Sequence, residues 1–347
     1  MPAPPAQTLQ RISRERILIT GAGGSIGSAL ALRVAALQPR ELVLLEVAET
    51  PLIALQHALQ YIPLPCPPRY LLGSVLNRSL LDEVFDLHQP TLVFHAAAYK
   101  HVPLMEEQPF AAIENNVFGT DTLATSAARS RARIILLSTD KAVEPASIMG
   151  ATKRVAEKII LESGGTAVRL GNVVASSASV AELFAAQITA GGPITVTDPA
   201  ARRYFLTIEE AVHLLLASAA AEPGLYAADL HDQHFIADLA RFLARQLAPH
   251  RDIAIEFTAP RAGDKECEKL ASTTEISETS NVPGLRAIHP RQKNPNDLRR
   301  DLRMLRAATD ARDLPASLDA LQTLVPEFTP SAALRAMAQK QSSRASL

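Results

Sequence analysis

Tryptophan is absent, cysteine occurs twice, and aromatic residues make up only 4% of the 347 positions. Cys66 and Cys267 match neither a metal-ligand spacing nor a disulfide framework, so a reducing compartment is expected and a bound metal is not. Nor does one sign of charge dominate. With 35 Lys plus Arg against 36 Asp plus Glu, the net charge of -1 supplies no field to hold a polyanion, which excludes nucleic acid as an expected partner. No apolar run reaches the ~18 residues of a membrane span, since even the stretch after Phe205 carries Glu209, Glu210 and His213. The N-terminal Met1 to Arg16 has three prolines but no apolar core of an export signal. A soluble, cytoplasmic protein with a loose tail over residues 1–15 is expected.

What the chain does have is apolar content, 47% of its residues, enough for one large or two medium domains. Short β-rich runs alternate with helical patterns: Ile17 to Thr20, Leu42 to Glu46, Tyr70 to Gly73, Thr91 to His95, Ile134 to Ser138 and Ala167 to Leu170. Continuous apolar strands without inside/outside alternation suit a parallel sheet covered on both faces. The expected fold is therefore α/β, a doubly wound parallel (Rossmann) sheet over residues 16–171 with strand 224–230 returning to it. After Gly171 the alternation breaks, so residues 172–223 and 231–335 are expected to form a smaller mixed α/β substrate lobe, and 336–347 a frayed tail.

Strand Ile17 to Thr20 runs into Gly21-Ala22-Gly23-Gly24-Ser25-Ile26-Gly27, followed by a helical pattern. A tight strand-to-helix turn at Gly21, Gly24 and Gly27 lets backbone approach a pyrophosphate, and the helix N-terminus offers free N–H groups. Ser25 and Ile26 lie in the same turn. The next strand ends at Glu46, where a carboxylate can accept hydrogen bonds from the adenosine ribose and would repel a 2'-phosphate. NAD is thereby favoured over NADP.

Strand Ile134 to Ser138 delivers Thr139-Asp140-Lys141 at its carboxyl end, where such sheets place reacting groups. Met149 and Lys153 then share a helical face at i and i+4, in the place of the Tyr-x-x-x-Lys of short-chain dehydrogenases. Methionine has no ionisable proton, so proton chemistry falls to the Thr-Asp-Lys group.

On these residues the chain resembles the extended short-chain dehydrogenase/reductases of the UDP-N-acetylglucosamine 4,6-dehydratase family of capsule and glycan biosynthesis. The match runs through Ile17 to Ser28, VFHAAAYKHVPLMEE at Val93 to Glu107, NNVFGT at Asn115 to Thr120, LSTDKAVEPASIMGATKR at Leu137 to Arg154, VRLGNVV at Val168 to Val174 and RYFLTI at Arg203 to Ile208. PRAGDKE at Pro260 to Glu266 and VPEFTP at Val325 to Pro330 extend it. The members it most resembles also carry Met before Gly-Ala-x-Lys.

The resemblance implies NAD as cofactor and a UDP-sugar as substrate. A hydride leaves sugar C4, a base takes the C5 proton that the new ketone has acidified, an acid protonates the departing C6 hydroxyl, and the hydride returns to C6. Lys141 is the candidate base and Asp140 the candidate acid, each in the protonation state opposite to its preference in water. The C4 hydroxyl proton goes to Thr139 with a relay or to Asp140. Lys153 would bind the nicotinamide ribose, Met149 would line the sugar pocket, and Ala96 and Ala97 would let the cofactor lie against backbone. Lys100, Asn172, Arg203, Arg261 and Asp264 are expected at the sugar or diphosphate, and His95 in a structural role. The resemblance also implies a homodimer or higher homo-oligomer built on the helical patterns around Leu104 to Ser126 and Met149 to Leu161.

Several positions depart from the family pattern. Ser74 replaces an Asp near the adenine, Ala175 and Ala178 replace glycines of a loop, and Ala262, Asp264 and Glu266 alter an Arg-Pro-Gly-Glu-Lys-Leu segment. The alternatives are a UDP-sugar 4-epimerase, which needs no acid at C6, and a non-catalytic NAD or nucleotide-sugar binding protein.

Overall fold

The computed structural model describes residues 4–174, 179–291 and 297–345. Each apolar run of the first half becomes a strand: β1 (Arg16–Thr20), β2 (Glu41–Glu46), β3 (Arg69–Leu72), β4 (Leu92–His95), β5 (Arg133–Thr139) and β6 (Thr166–Leu170). They join β7 (Gly224–Ala228), β8 (Glu275–Thr279) and β9 (Leu285–Pro290) in one sheet of order β8-β9-β7-β6-β5-β4-β1-β2-β3. Seven strands are parallel, and β9 and β8 close one end antiparallel. The order reverses between β1 and β4, which opens a crevice at their carboxyl ends.

Helices cover both faces. On one lie α2 (Ser25–Ala36), α3 (Glu49–Leu59) and α9 (Ile208–Ser218), around Ile17, Ile19, Leu30, Val34 and Leu215. On the other lie α4 (Arg78–His88), α5 (Val102–Glu107), α6 (Gly119–Ala127) and α7 (Ile148–Glu162), around Leu18, Val93, Phe118 and Ile159. Local chemistry starts several of these helices at fixed places. Asn77 accepts from Leu80 N–H, Ser147 from Gly150 N–H, and Thr207 forms a capping box with Glu210. Between α5 and α6 the chain passes through a π-helical stretch, Ile113–Phe118.

The second half departs from expectation. Residues 208–218 pack on α2, and β8 and β9 extend the main sheet, so neither belongs to a separate lobe. Helices α11 (Leu298–Asp310) and α12 (Leu314–Leu324) join the α7 side of the core through Leu302, Leu305, Leu318 and Leu321. What remains as a lobe is α8 (Val180–Thr189), α10 (Ile236–Leu247) and short strand pairs, Ile194–Val196 with Ile255–Phe257 and Arg202–Arg203 with His234–Phe235, around Phe184, Ile188, Ile194 and Ala240.

Both expected tails also carry structure. Before β1, α1 (Ala6–Ile12) buries Ile12 in the sheet's core, and α13 (Ala332–Ala345) buries Leu334 and Ala338. A few apolar side chains with a surface to meet are enough to order such segments.

The apolar stripes of α6 and α7 are core faces of this same chain. Across them lies α11, with Arg299 paired to Asp121 of α6 at 2.6 Å and to Glu162 of α7 at 2.8 Å. Ala175 and Ala178 lie outside the described residues.

Candidate active site

The turn after β1 is built on glycine for steric reasons. Gly21 has φ +68, and a Cβ there would lie 2.6 Å from the Ala97 backbone nitrogen. A Cβ on Gly27 would sit 2.0 Å from the Gly21 carbonyl oxygen. The turn, the start of α2 and the backbone after β4 therefore meet without side chains between them. At Gly24, the N-cap of α2, no side chain caps the helix.

This turn forms one end of a cavity of about 510 Å³ along the carboxyl ends of β1, β4, β5 and β6. Gly21, Gly24, Ser25, Ile26, Gly27, Ala96, Lys100, Thr139, Lys141, Met149, Lys153 and Asn172 line it, bringing most of the expected site together. Glu46 instead braces the turn: its Oε2 accepts from Gly23 N–H at 2.9 Å and its Oε1 from the N–H groups of Val47 and Ala48 at 2.9 and 3.1 Å. Ala97 is not among the lining residues, and its backbone lies where a Cβ on Gly21 would go.

Thr139 ends β5 and caps the single 3-10 turn Asp140–Ala142 that carries Asp140 and Lys141. Lys141 Nζ donates to Asp140 Oδ1 at 3.0 Å and to Asn172 Oδ1 at 2.8 Å, while Thr139 Oγ1 donates to the same Asp140 oxygen at 3.0 Å. Asp140 is fully buried with Oδ2 unpartnered, and that desolvation raises its pKa. Burial opposes the Lys141 ammonium too, but Asp140 and Glu268 together outweigh it and raise its pKa. Lys141 is thus a paired ammonium here, opposite to the neutral amine expected of a base.

Met149 is buried at the cavity wall. One turn on, Lys153 Nζ donates to the Leu137 carbonyl at 2.7 Å, and burial lowers its pKa to about 8. His95 is enclosed between two hydroxyls, Nδ1 2.7 Å from Thr20 Oγ1 and Nε2 2.9 Å from Thr120 Oγ1. Burial, aided by the Lys153 charge, lowers its pKa to about 3, so it stays neutral. Burial also lowers the pKa of Lys100, against the charge of Glu182.

Three expected ligands face elsewhere. The buried Arg203 guanidinium donates to the carbonyls of Arg202, Lys265 and Glu266 at 2.7, 2.7 and 2.9 Å, fastening the 260–270 segment. Arg261 pairs with Asp264 at 3.0 Å in an exposed turn. The same segment delivers a buried carboxylate not anticipated from sequence, Glu268, 3.7 Å from Lys141 Nζ. Its only sequence signal is proximity to the PRAGDKE motif. Among the described residues no cluster of His, Cys, Asp and Glu is suited to a metal, and no helix is long and apolar enough to cross a membrane.

Residues 17–290 match the model of a family described as polysaccharide biosynthesis protein. The chain belongs to this family. Within it, the chain is 39% identical over 286 residues to the capsular polysaccharide biosynthesis protein CapD of Staphylococcus aureus, covering 77% of this chain and 47% of CapD. It thus spans about half the length of that relative. It is 33% identical over 285 residues to a UDP-glucose 4-epimerase of Rickettsia rickettsii, covering 77% of this chain and 80% of the epimerase. Among solved structures, the dTDP-glucose 4,6-dehydratase DesIV of Streptomyces venezuelae, with NAD and TYD bound, superposes with a TM-score of 0.65 at 21% identity, over 74% of this chain and 88% of DesIV. That likeness is one of fold.

Proposed function

We propose that the chain is an NAD-dependent nucleotide-sugar 4,6-dehydratase acting on a UDP-N-acetylhexosamine, with UDP-N-acetylglucosamine as the first substrate to try. The observation that carries this reading is that Lys141, which lines the cavity at the end of β5, is in contact with the fully buried Asp140. Bound NAD would supply the hydride acceptor for C4 and the hydride donor for C6.

The glycine turn and the uncapped start of α2 suit a diphosphate, and Lys153, which lines the cavity, suits the nicotinamide ribose, while Glu46 holds the turn in shape. Once C4 is a ketone, elimination needs a neutral amine and a protonated carboxyl. A single proton passing from Lys141 Nζ to Asp140 Oδ1 supplies both, and a dry site favours the uncharged pair over two buried charges. Lys141 then takes the C5 proton, and Asp140 gives its own to the leaving C6 oxygen. Thr139 hydrogen-bonds the C4 oxygen and relays its hydroxyl proton to solvent as the hydride leaves, Lys141 returns a proton to C5 when the hydride reaches C6, and Met149 bounds the pocket without exchanging protons.

The Lys141 ammonium, held by two carboxylates, also favours a second reading: a 4-epimerase, which oxidises C4 and needs no base at C5. Incubation with UDP-N-acetylglucosamine in deuterated water separates the two. Loss of water with deuterium at C5 supports dehydration, and the Lys141→Met variant should lose that exchange. An epimer of unchanged mass refutes it.

A further inference from the structure

Three polar groups converge on Lys141 Nζ, and only Asp140 and Asn172 come from the strand ends that shape the cavity. The third, Glu268, arrives from the distant 260–270 segment and is buried, with Oε1 3.7 Å from Lys141 Nζ and Oε2 3.0 Å from Lys265 Nζ. Its backbone is fastened on both sides. Gln233 Nε2 donates to the Glu268 carbonyl at 2.6 Å, Arg203 grips the carbonyls of Lys265 and Glu266, and Cys267 bridges to Arg202. Lys265 is anchored in turn, donating to the Val143 carbonyl at 2.8 Å, just past the 3-10 turn that carries Lys141.

Burying a carboxylate is unfavourable unless its charge meets a partner. The partners of Glu268 are two ammonium groups, one in the cavity and one outside its lining.

We propose that Glu268 is a positioning residue of this site: it holds Lys141 against the cavity and sets how readily that amine releases its proton, with Lys265 as the counter-charge that moderates it. The proposal rests on the reading of Lys141 as the C5 base. The charged groups facing Lys141 are Asp140 on its own turn, Glu268 from the 260–270 segment and Arg203 from the Arg202–Arg203 strand. Asp140 and Glu268 stabilise the ammonium, and Arg203 opposes it. Lys265 acts on it through Glu268, and Lys153 lines the same cavity from α7.

The test follows the Lys141 side chain itself, by NMR titration of the full chain labelled at lysine Cε, with the signal assigned through Lys141→Met. Glu268→Gln should lower the Lys141 titration midpoint by roughly one unit or more, because it removes an opposing charge within about 4 Å. Lys265→Met should raise it, because Glu268 then acts on Lys141 unshared. In parallel, the acid limb of C5 deuterium exchange against pH should shift down in Glu268→Gln, up in Lys265→Met, and back towards wild type in Glu268→Asp. A merely structural role would lower the rate at every pH and leave the limb in place. A folded Glu268→Gln protein whose Lys141 midpoint stays put overturns the proposal, and where that variant does not fold, an unmoved midpoint in Lys265→Met does the same. If the midpoints move as expected but wild-type protein never exchanges C5, the positioning role stands and Lys141 as base falls.

Discussion

Ser138 Oγ donates to Glu157 Oε1 at 2.6 Å, tying the strand that ends in Thr139 to the helix that carries Met149 and Lys153. Glu157 is the inner member of a buried ionic chain. Arg169 bridges it to Glu275 at 2.8 to 2.9 Å, and Arg154 joins Glu157, Glu275 and Glu327, each at 2.9 Å. Both flanking arginines hold the Glu157 pKa down although burial pushes it up.

Breaking that chain at its centre should therefore cost more than any surface change. Arg169→Met leaves two buried carboxylates without their main partner, and a loss of about 3–5 kcal/mol in urea unfolding is expected. A loss below 1 kcal/mol would mean that the chain is not sealed from water.

At the glycine turn, Gly21→Ala should weaken NAD binding at least tenfold, measured by titration calorimetry. The new Cβ meets the Ala97 backbone, and positive φ disfavours any side chain by roughly 1–2 kcal/mol. Unchanged affinity would place the dinucleotide elsewhere.

His95 gives the fold a defined sensitivity to acid. Its folded pKa of about 3 lies below the unfolded value of about 6.5, so between those limits the unfolded chain binds more protons and stability falls as pH falls. Unfolding free energy measured at pH 7 and pH 5 should drop for the wild type. The drop should shrink in His95→Gln, and an equal drop in both would exclude His95 as its source.

Asn172→Leu removes the 2.8 Å acceptor of Lys141 while leaving the carboxylates in place. A hydrogen bond to a charged group contributes about 1.5–3 kcal/mol, so kcat for C5 exchange should fall roughly tenfold to a hundredfold. Retention of full kcat would remove Asn172 from the working site.

Much of the cavity was legible because its determinants are local. A glycine turn between a strand and a helix, or three polar residues at a strand end, carry their geometry within a few positions. The state of Lys141 was legible only in part, since Asp140 is its neighbour in sequence while the second carboxylate that holds it charged, Glu268, is brought near only by tertiary folding. Arg203 looked like a phosphate ligand because a guanidinium reads alike whether it faces an anion or carbonyls. The helices of residues 208–218 and 298–324 do not reveal in sequence that they pack on the main sheet, for a similar reason: an apolar stripe does not name the surface that covers it. Residues 6–12 were too short a helix to show a period.

The placement of α11 across α6 and α7 bears on how copies of the chain would associate. The flank that would otherwise be free to meet a sister molecule is already filled from within, clasped by Arg299 and roofed by the final helices. Any pairing of two copies over this flank would press on the outer side of α11, and the stripes of α6 and α7 would not be the surfaces that touch.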